Sequence, residues 1–300
     1  MSIELSWFEQ FYAYLENEKR YSTHTTLAYQ RDLRDFQDFC HKLELQTLKD
    51  VTTHTVRQYI VDANRRQLGA RSIQRRLSAL RSFYRYLERE KHVDVNPANG
   101  VKAPKTPHRL PKVMDVDQIQ ALLTIPDDDA LAIRDVAILE LFYSSGLRLT
   151  ELVSLNIYDL NIADKTLRVL GKGNKVRQIP VGKMALDALV KWFEIRNCWV
   201  NETESAIFIT KKGGRISQRN VQARLKHWGQ KQSLNTGLHP HRLRHSFASH
   251  LLESSGDIRA VQELLGHENL SSTQIYTHLD FQYLASVYDK AHPRAKKRTR

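Results

Sequence analysis

Between Asn96 and Lys112 the chain carries Pro97, Pro104, Pro107 and Pro111, four of its eight prolines. Each proline fixes φ and lacks an amide donor, so this density denies a regular helix and leaves a stiff, extended connector. A chain interrupted in this way has to bury its apolar surface in two separate cores, and 300 residues are enough for both. The reading is a first domain over residues 1–97, a linker over 98–112 and a second domain over 113–300. Lys102, Lys105, His108, Arg109 and Lys112 make the linker cationic as well as stiff.

The first domain reads as helices. Trp7, Phe11, Tyr14 and Leu15 recur at helical spacing, as do Tyr29, Leu33, Phe36 and Cys40 in a helix starting after Ser22, and Val56, Tyr59, Ile60 and Ala63 in a third. In a fourth, Ile73, Leu77, Leu80, Tyr84 and Leu87 face one way, while Arg71, Arg75, Arg76, Arg81, Arg85 and Arg89 lie elsewhere on the surface. An arginine-studded face is often merely solvated. Few acids interrupt this one in sequence, which favours phosphate contact.

Beyond the linker, Asp117 is placed to cap a short helix through Ile119, Leu122 and Leu123. A helix from Ala130 to Ser145 follows, with Gly146 to stop it, and Arg148 comes directly before the next helix. Thr166 to Leu170 and Val176 to Val181 flank G-K-G-N-K and read as a β-hairpin whose turn presents Lys172 and Lys175. Helices near Met184 to Arg196 and Gln218 to Lys231 enclose a short Ala206 to Ile209 strand. Lys211, Lys212, Arg215 and Arg219 form a further basic cluster.

Forty-six Lys plus Arg against 33 Asp plus Glu give a net charge of +13, which points to a polyanion, nucleic acid being the commonest. Cutting after Lys112 leaves 20 basic and 13 acidic residues before the cut and 26 and 20 after it, so both halves carry an excess, +7 and +6. The plainer alternative is that the charge only aids solubility. Cys40 and Cys198 are too few for a disulfide framework or a cysteine metal site. No secretory signal and no run of membrane-spanning length is present, so the expectation is a soluble cytoplasmic protein without a membrane partner.

Chemistry concentrates between His239 and His278. His241 and Arg244 stand three residues apart on an expected helix and so share a face. Arg offers a fork of donors matched to phosphate oxygens, and His moves a proton near neutral pH. Tyr276 is the plausible nucleophile of the stretch, and attack by a phenol near neutral pH needs cations around it. His241 with His245 has helical zinc spacing. Arg242 and Arg244 beside it repel a divalent ion, and residues 239 to 252 contain no Asp or Glu, so no metal is expected.

The pattern H-x-L-R-H, L-G-H and a tyrosine nine residues later resembles the signature of tyrosine recombinases, the phage-integrase family. Arg148 in S-S-G-L-R-L-T-E-L and Lys172 in G-K-G-N-K match its remaining catalytic positions. Length and the ending T-Q-I-Y-T-H-L-D-F-Q-Y-L-A-S-V-Y-D-K-A-H-P-R resemble the bacterial Xer type, XerC more than XerD.

The resemblance implies a mainly α fold: an N-terminal helical bundle, the SAM-like core-binding domain, then an α+β catalytic domain with a small β-sheet or hairpin. It implies catalysis by Arg148, Lys172, His241, Arg244, His267 and Tyr276 through a 3′-phosphotyrosyl intermediate, with no cofactor. Lys172 protonates the leaving oxygen, and His267 is placed to accept the tyrosine proton. The partners expected are double-stranded DNA gripped by a two-domain clamp, a XerD-like recombinase in a heterotetramer that resolves chromosome and plasmid dimers, and a DNA translocase activator. Arg71, Arg75, Arg76, Arg81, Lys105, Lys175, Lys211, Lys212 and Arg219 are the expected DNA contacts. The family's C-terminal helix docks into a neighbouring subunit, whereas Phe281, Leu284, Ala285 and Tyr288 are equally suited to cap their own core. The last ten residues read as a DNA-attracted or disordered tail. A type IB topoisomerase-like nickase and a non-catalytic DNA-binding protein are the alternatives.

Overall fold

The computed structural model describes residues 5–19, 21–104, 113–126, 129–171, 176–232, 237–266 and 278–295. The chain divides into two compact units, Met1–Arg109 and Leu110–Arg300, each with its own core.

The first unit is built from α1 (Leu5–Asn17), α2 (Thr23–Lys42), α3 (Thr53–Arg65) and α4 (Ala70–Arg89). Ser22 caps α2 by accepting the Thr25 amide on its hydroxyl. The expected stripe of α4 is buried throughout: Ile73, Leu77, Leu80, Tyr84 and Leu87 all lie inside. Phe8 stacks on Phe83 at 4.4 Å and Phe36 meets Tyr59 edge-on at 5.1 Å, so aromatic pairs fill the space between helices. Past α4 the chain turns back along it. Ala98 and Val101 are buried, Arg81 donates to their carbonyls at 3.2 and 2.5 Å, and Gln74 donates to the Pro104 carbonyl at 3.4 Å.

In the second unit α5 (Val116–Leu123) begins two residues earlier than the sequence suggests. Asp115, not Asp117, accepts the Gln118 amide at 2.7 Å, which leaves Asp117 in the first turn, where a negative charge also suits the helix dipole. Helix α6 (Ala130–Ser145) is buried along nearly its whole length. It stops at Gly146, whose φ of 57° is the left-handed conformation that glycine adopts without steric cost. The short α7 (Leu149–Ser154) follows.

The sheet is antiparallel with order β1 (Leu160–Asn161), β2 (Thr166–Leu170) and β3 (Val176–Pro180). Leu167 pairs with Ile179 and Leu170 with Val176, so the expected hairpin has gained a short edge strand. Leu167 and Val169 on β2 and Arg177 and Ile179 on β3 point inward. Helices α8 (Lys183–Trp199), α9 (Gln218–Lys231), α10 (Pro240–Ser255), α11 (Ile258–Leu265) and α12 (His278–Ala291) complete the unit. Ala206 to Ile209 is fully buried but is no strand. Isolated bridges tie Ala206 to Asn156 and Ile209 to Arg215, because no neighbour runs alongside for long enough to form a ladder.

Leu284 and Tyr288 of α12 enter the same core as α6 and α10. The Tyr288 hydroxyl donates to Ser144 at 3.3 Å, and its ring stacks on His292 at 4.9 Å. Arg294 pairs with the buried Glu140, and Ala295 is buried. The stretch Ala291–Ala295, expected as part of a tail, is therefore packed: a buried carboxylate supplies the partner that makes its arginine stay. Among the described residues no helix is long and apolar enough to cross a membrane.

Candidate active site

Two helix ends and one carboxylate organise the site. Where α6 stops, the Gly146 carbonyl accepts from Arg244 Nη1 at 2.5 Å. Where α11 stops at Gly266, the Leu265 carbonyl accepts from Arg244 Nη2 at 2.5 Å and the Gly266 carbonyl from Arg148 Nη2 at 3.2 Å. The final carbonyls of a helix lack amide partners and carry its partial negative charge, so guanidinium groups satisfy them well. Arg148 and Arg244, distant in sequence, are thereby gathered around one place.

Glu151, 3% exposed, lies beneath them. Its Oε1 accepts from Arg148 Nη1 and Arg177 Nη1, each at 2.9 Å. Its Oε2 accepts the Arg148 amide at 2.8 Å and Arg177 Nη2 at 2.9 Å, and stands 4.0 Å from Arg244 Nη1. Burial pushes the Glu151 carboxyl up, yet hydrogen bonds from Arg177 and Arg148 outweigh it and hold the group below the usual carboxylate range. Burial, helped by the charge of nearby Arg148, pulls Arg244 down to about 10, still far enough above neutrality to keep it charged. Three arginines share one carboxylate, which leaves a positive surplus suited to an anionic phosphate.

Of the side chains gathered here, the sequence pattern singles out Arg148 and Arg244 and does not single out Glu151 or Arg177. The available signal for Arg177 was its inward register on β3, a charge at a position where an apolar residue is the norm.

His241 lies one turn before Arg244 on α10 and is exposed. Its helix is capped by His239, whose Nδ1 accepts the Arg242 amide at 3.2 Å; burial and the charges of His241, Arg242 and His245 lower the His239 pKa, in keeping with an acceptor nitrogen. His245 is exposed too, and among the described residues no group of three His, Cys, Asp or Glu side chains is placed to hold a metal ion. Lys172, Lys175, His267, Tyr276 and Lys105 lie outside the described residues.

The expected DNA-contacting cations separate into two kinds. Arg71, Arg75, Lys211, Lys212 and Arg219 are exposed, Arg75 with an ion pair to Asp32 at 3.1 Å and Lys211 set 5.9 Å over the Trp199 ring. Arg76 and Arg81 are committed inside the first unit. Arg76 pairs with Asp35 and donates to the Tyr59 hydroxyl at 2.7 Å, and Arg81 holds the Ala98 and Val101 carbonyls. The acids that oppose Arg75 and Arg76, Asp32 and Asp35, come from α2, which is why this part of the helix looked unopposed in sequence. Arg215 likewise donates to the Val153 and Leu155 carbonyls and to Asn156.

Residues 112–283 match the phage integrase family, and residues 8–91 match the phage integrase N-terminal SAM-like domain. The chain belongs to the phage integrase family. Tyrosine recombinase XerC of Actinobacillus pleuropneumoniae serotype 7 (strain AP76) is 51% identical to this integrase-family chain over 288 residues, 96% of this chain and 94% of that protein. Tyrosine recombinase XerC of Escherichia coli O157:H7 is 52% identical over 289 residues, 96% and 97% of the two. The crystal structure of a XerH site-specific recombinase bound to palindromic difH substrate, a post-cleavage complex, shares the fold with a TM-score of 0.71 at 20% identity, over 94% of this chain and 84% of that one. This member of the family is a tyrosine recombinase, an enzyme that cuts and rejoins DNA at specific sites. Its mainly helical architecture with a small antiparallel sheet is the one the sequence led us to expect.

Proposed function

We propose that this recombinase cleaves DNA by attack of the Tyr276 hydroxyl on a backbone phosphorus. The O–P bond to tyrosine forms as the bond to the 5′ oxygen breaks, giving a 3′-phosphotyrosyl linkage and a 5′-hydroxyl. Arg148 and Arg244 hold the non-bridging oxygens and offset the charge that develops there. His241 and His267 add hydrogen bonds, with His267 accepting the tyrosine proton, and Lys172 protonates the leaving oxygen. The linkage conserves the energy of the cut bond, so a 5′-hydroxyl from another strand rejoins it without ATP or metal. The observation that carries this reading is the convergence of Arg148 and Arg244 on Glu151 and the two helix ends.

The substrate is double-stranded DNA, bound at a specific site in the cytoplasm. Arg71, Arg75, Lys175, Lys211, Lys212, Arg219 and the linker's Lys105 contact its phosphates. The enzyme works with a XerD-like recombinase, two of each across two paired sites, to resolve chromosome and plasmid dimers around cell division, with a DNA translocase as activator. Similarity to the XerC recombinases supports that assignment.

The test is a nicked suicide duplex that traps the intermediate. Wild type gives a protein–DNA adduct resistant to denaturant. Arg148→Ala and Arg244→Ala retain most DNA affinity and form none, and wholesale loss of binding by either removes its catalytic role.

A further inference from the structure

We propose that Arg177 is a positioning residue for phosphoryl transfer: wedged between Glu151 and Gly266, it fixes the carboxylate that aims Arg148 and keeps that carboxylate away from Arg244. The inference rests on the reading that Arg148 and Arg244 hold the phosphate.

Arg177 is 7% exposed and occupies an inward position of β3, one residue after the strand begins. Its fork spans both Glu151 oxygens, Nη1 on Oε1 and Nη2 on Oε2, each at 2.9 Å. A planar bidentate clamp fixes the rotation of a carboxylate, which a single ammonium does not. On the other side its Cδ, Nε and Cζ lie against Gly266, where a methyl group added to the glycine would sit 3.3 Å from each. Gly266 is the cap whose own carbonyl receives Arg148 and whose predecessor's carbonyl receives Arg244. One buried side chain therefore touches both supports of the two arginines.

Stability alone does not call for it. An apolar residue facing inward at this register, opposite a neutral partner, buries without the cost of desolvating two charges. The consequence of losing the clamp is specific: among the described residues Glu151 keeps Arg148 as its one close side-chain partner, turns, and closes the 4.0 Å gap to Arg244 Nη1. That pairing draws positive charge away from the phosphate.

The experiment uses the full chain and single-turnover cleavage of saturating suicide DNA, with either a natural phosphodiester or a neutral methylphosphonate at the cut position. Arg177→Met is expected to bind DNA as wild type does and to cleave the phosphodiester about a hundredfold more slowly, with Arg177→Lys losing about tenfold. On the methylphosphonate, where there is less charge to offset, both penalties shrink to about threefold or less. Arg148→Ala runs in parallel. If it cleaves the phosphodiester at the wild-type rate, the reading of the arginines fails and takes this inference with it. If it is inactive while both Arg177 variants cleave normally, or lose equally on the two linkages, the role of Arg177 alone is overturned. Should Arg177→Met fail to bind DNA, Arg177→Lys decides by the same comparison.

Discussion

At the scale of single residues the balance is electrostatic. Glu151 titrates below the usual carboxylate value in the folded chain, so its charge stabilises the fold at neutral pH and that contribution disappears as pH falls through the lowered value. Glu151→Gln leaves three guanidinium groups without their carboxylate and should cost about 3–5 kcal/mol at pH 7, as breaking a buried pair does. Urea melts of both proteins should show that deficit narrowing as pH falls below the unfolded carboxyl value of 4.5, and a deficit independent of pH contradicts the ion-pair account. Arg148 and Arg244 were legible because each sits in a short motif with its own local logic. Arg177 and Glu151 were not, since their pairing joins β3 to α7 from 26 residues away and leaves no periodic trace.

Among elements, the ends of helices carry the information. Gly146 ends α6 in a left-handed turn, and a methyl group there would lie 2.5 Å from the Phe247 ring. Gly146→Ala combines a backbone cost with overpacking, roughly 2–4 kcal/mol together. Because the same residue's carbonyl holds Arg244, cleavage should fall even at temperatures where the variant is folded; thermal melts alongside single-turnover rates check both. Glu140 is buried, with Arg294 from beyond α12 as its charge partner, and burial raises its carboxyl pKa. Arg294→Ala should therefore destabilise the second unit by about 3–5 kcal/mol, and Arg294→Met with Glu140→Gln should recover most of it. The α4 stripe, the α6 stop and the hairpin were visible in sequence because periodicity and glycine report local geometry. The Asp115 cap, the bridged Ala206–Ile209 segment and the packed Ala291–Ala295 stretch were not, because competing caps and tertiary partners decided them.

For the whole molecule, two units with separate cores and separate charge networks should respond separately to solution conditions. In the first, a hydrogen bond from Arg66 holds Asp35 down to about 2, while burial raises its neighbour Asp32. The Asp35 carboxylate contributes at most about 2 kcal/mol, fully present above its unfolded value of 3.8 and lost as pH falls through about 2, with the exposed side of Arg66 reducing it further. An acid titration should lower the stability of this unit over that window, and Asp35→Asn should flatten the response. Of the basic surface, DNA affinity should fall steeply with salt, and Lys212→Ala with Arg219→Ala should reduce the slope by about 2. Arg76→Ala should lower the melting temperature of the first unit and leave the slope alone, because its partners are internal. Composition alone gave the charge; only the packing distinguishes cations held by protein from those open to a polyanion.

The most direct measurement is the identity of the residue bonded to trapped DNA. Digestion of the denatured suicide adduct and fragmentation of its nucleotide-bearing peptide should place the phosphate on Tyr276. Tyr283, whose hydroxyl is bonded to Asp257, and Tyr288, buried against Ser144, should carry none. A phosphate found on either of them, or on a serine, or an adduct that survives in Tyr276→Phe, contradicts the account.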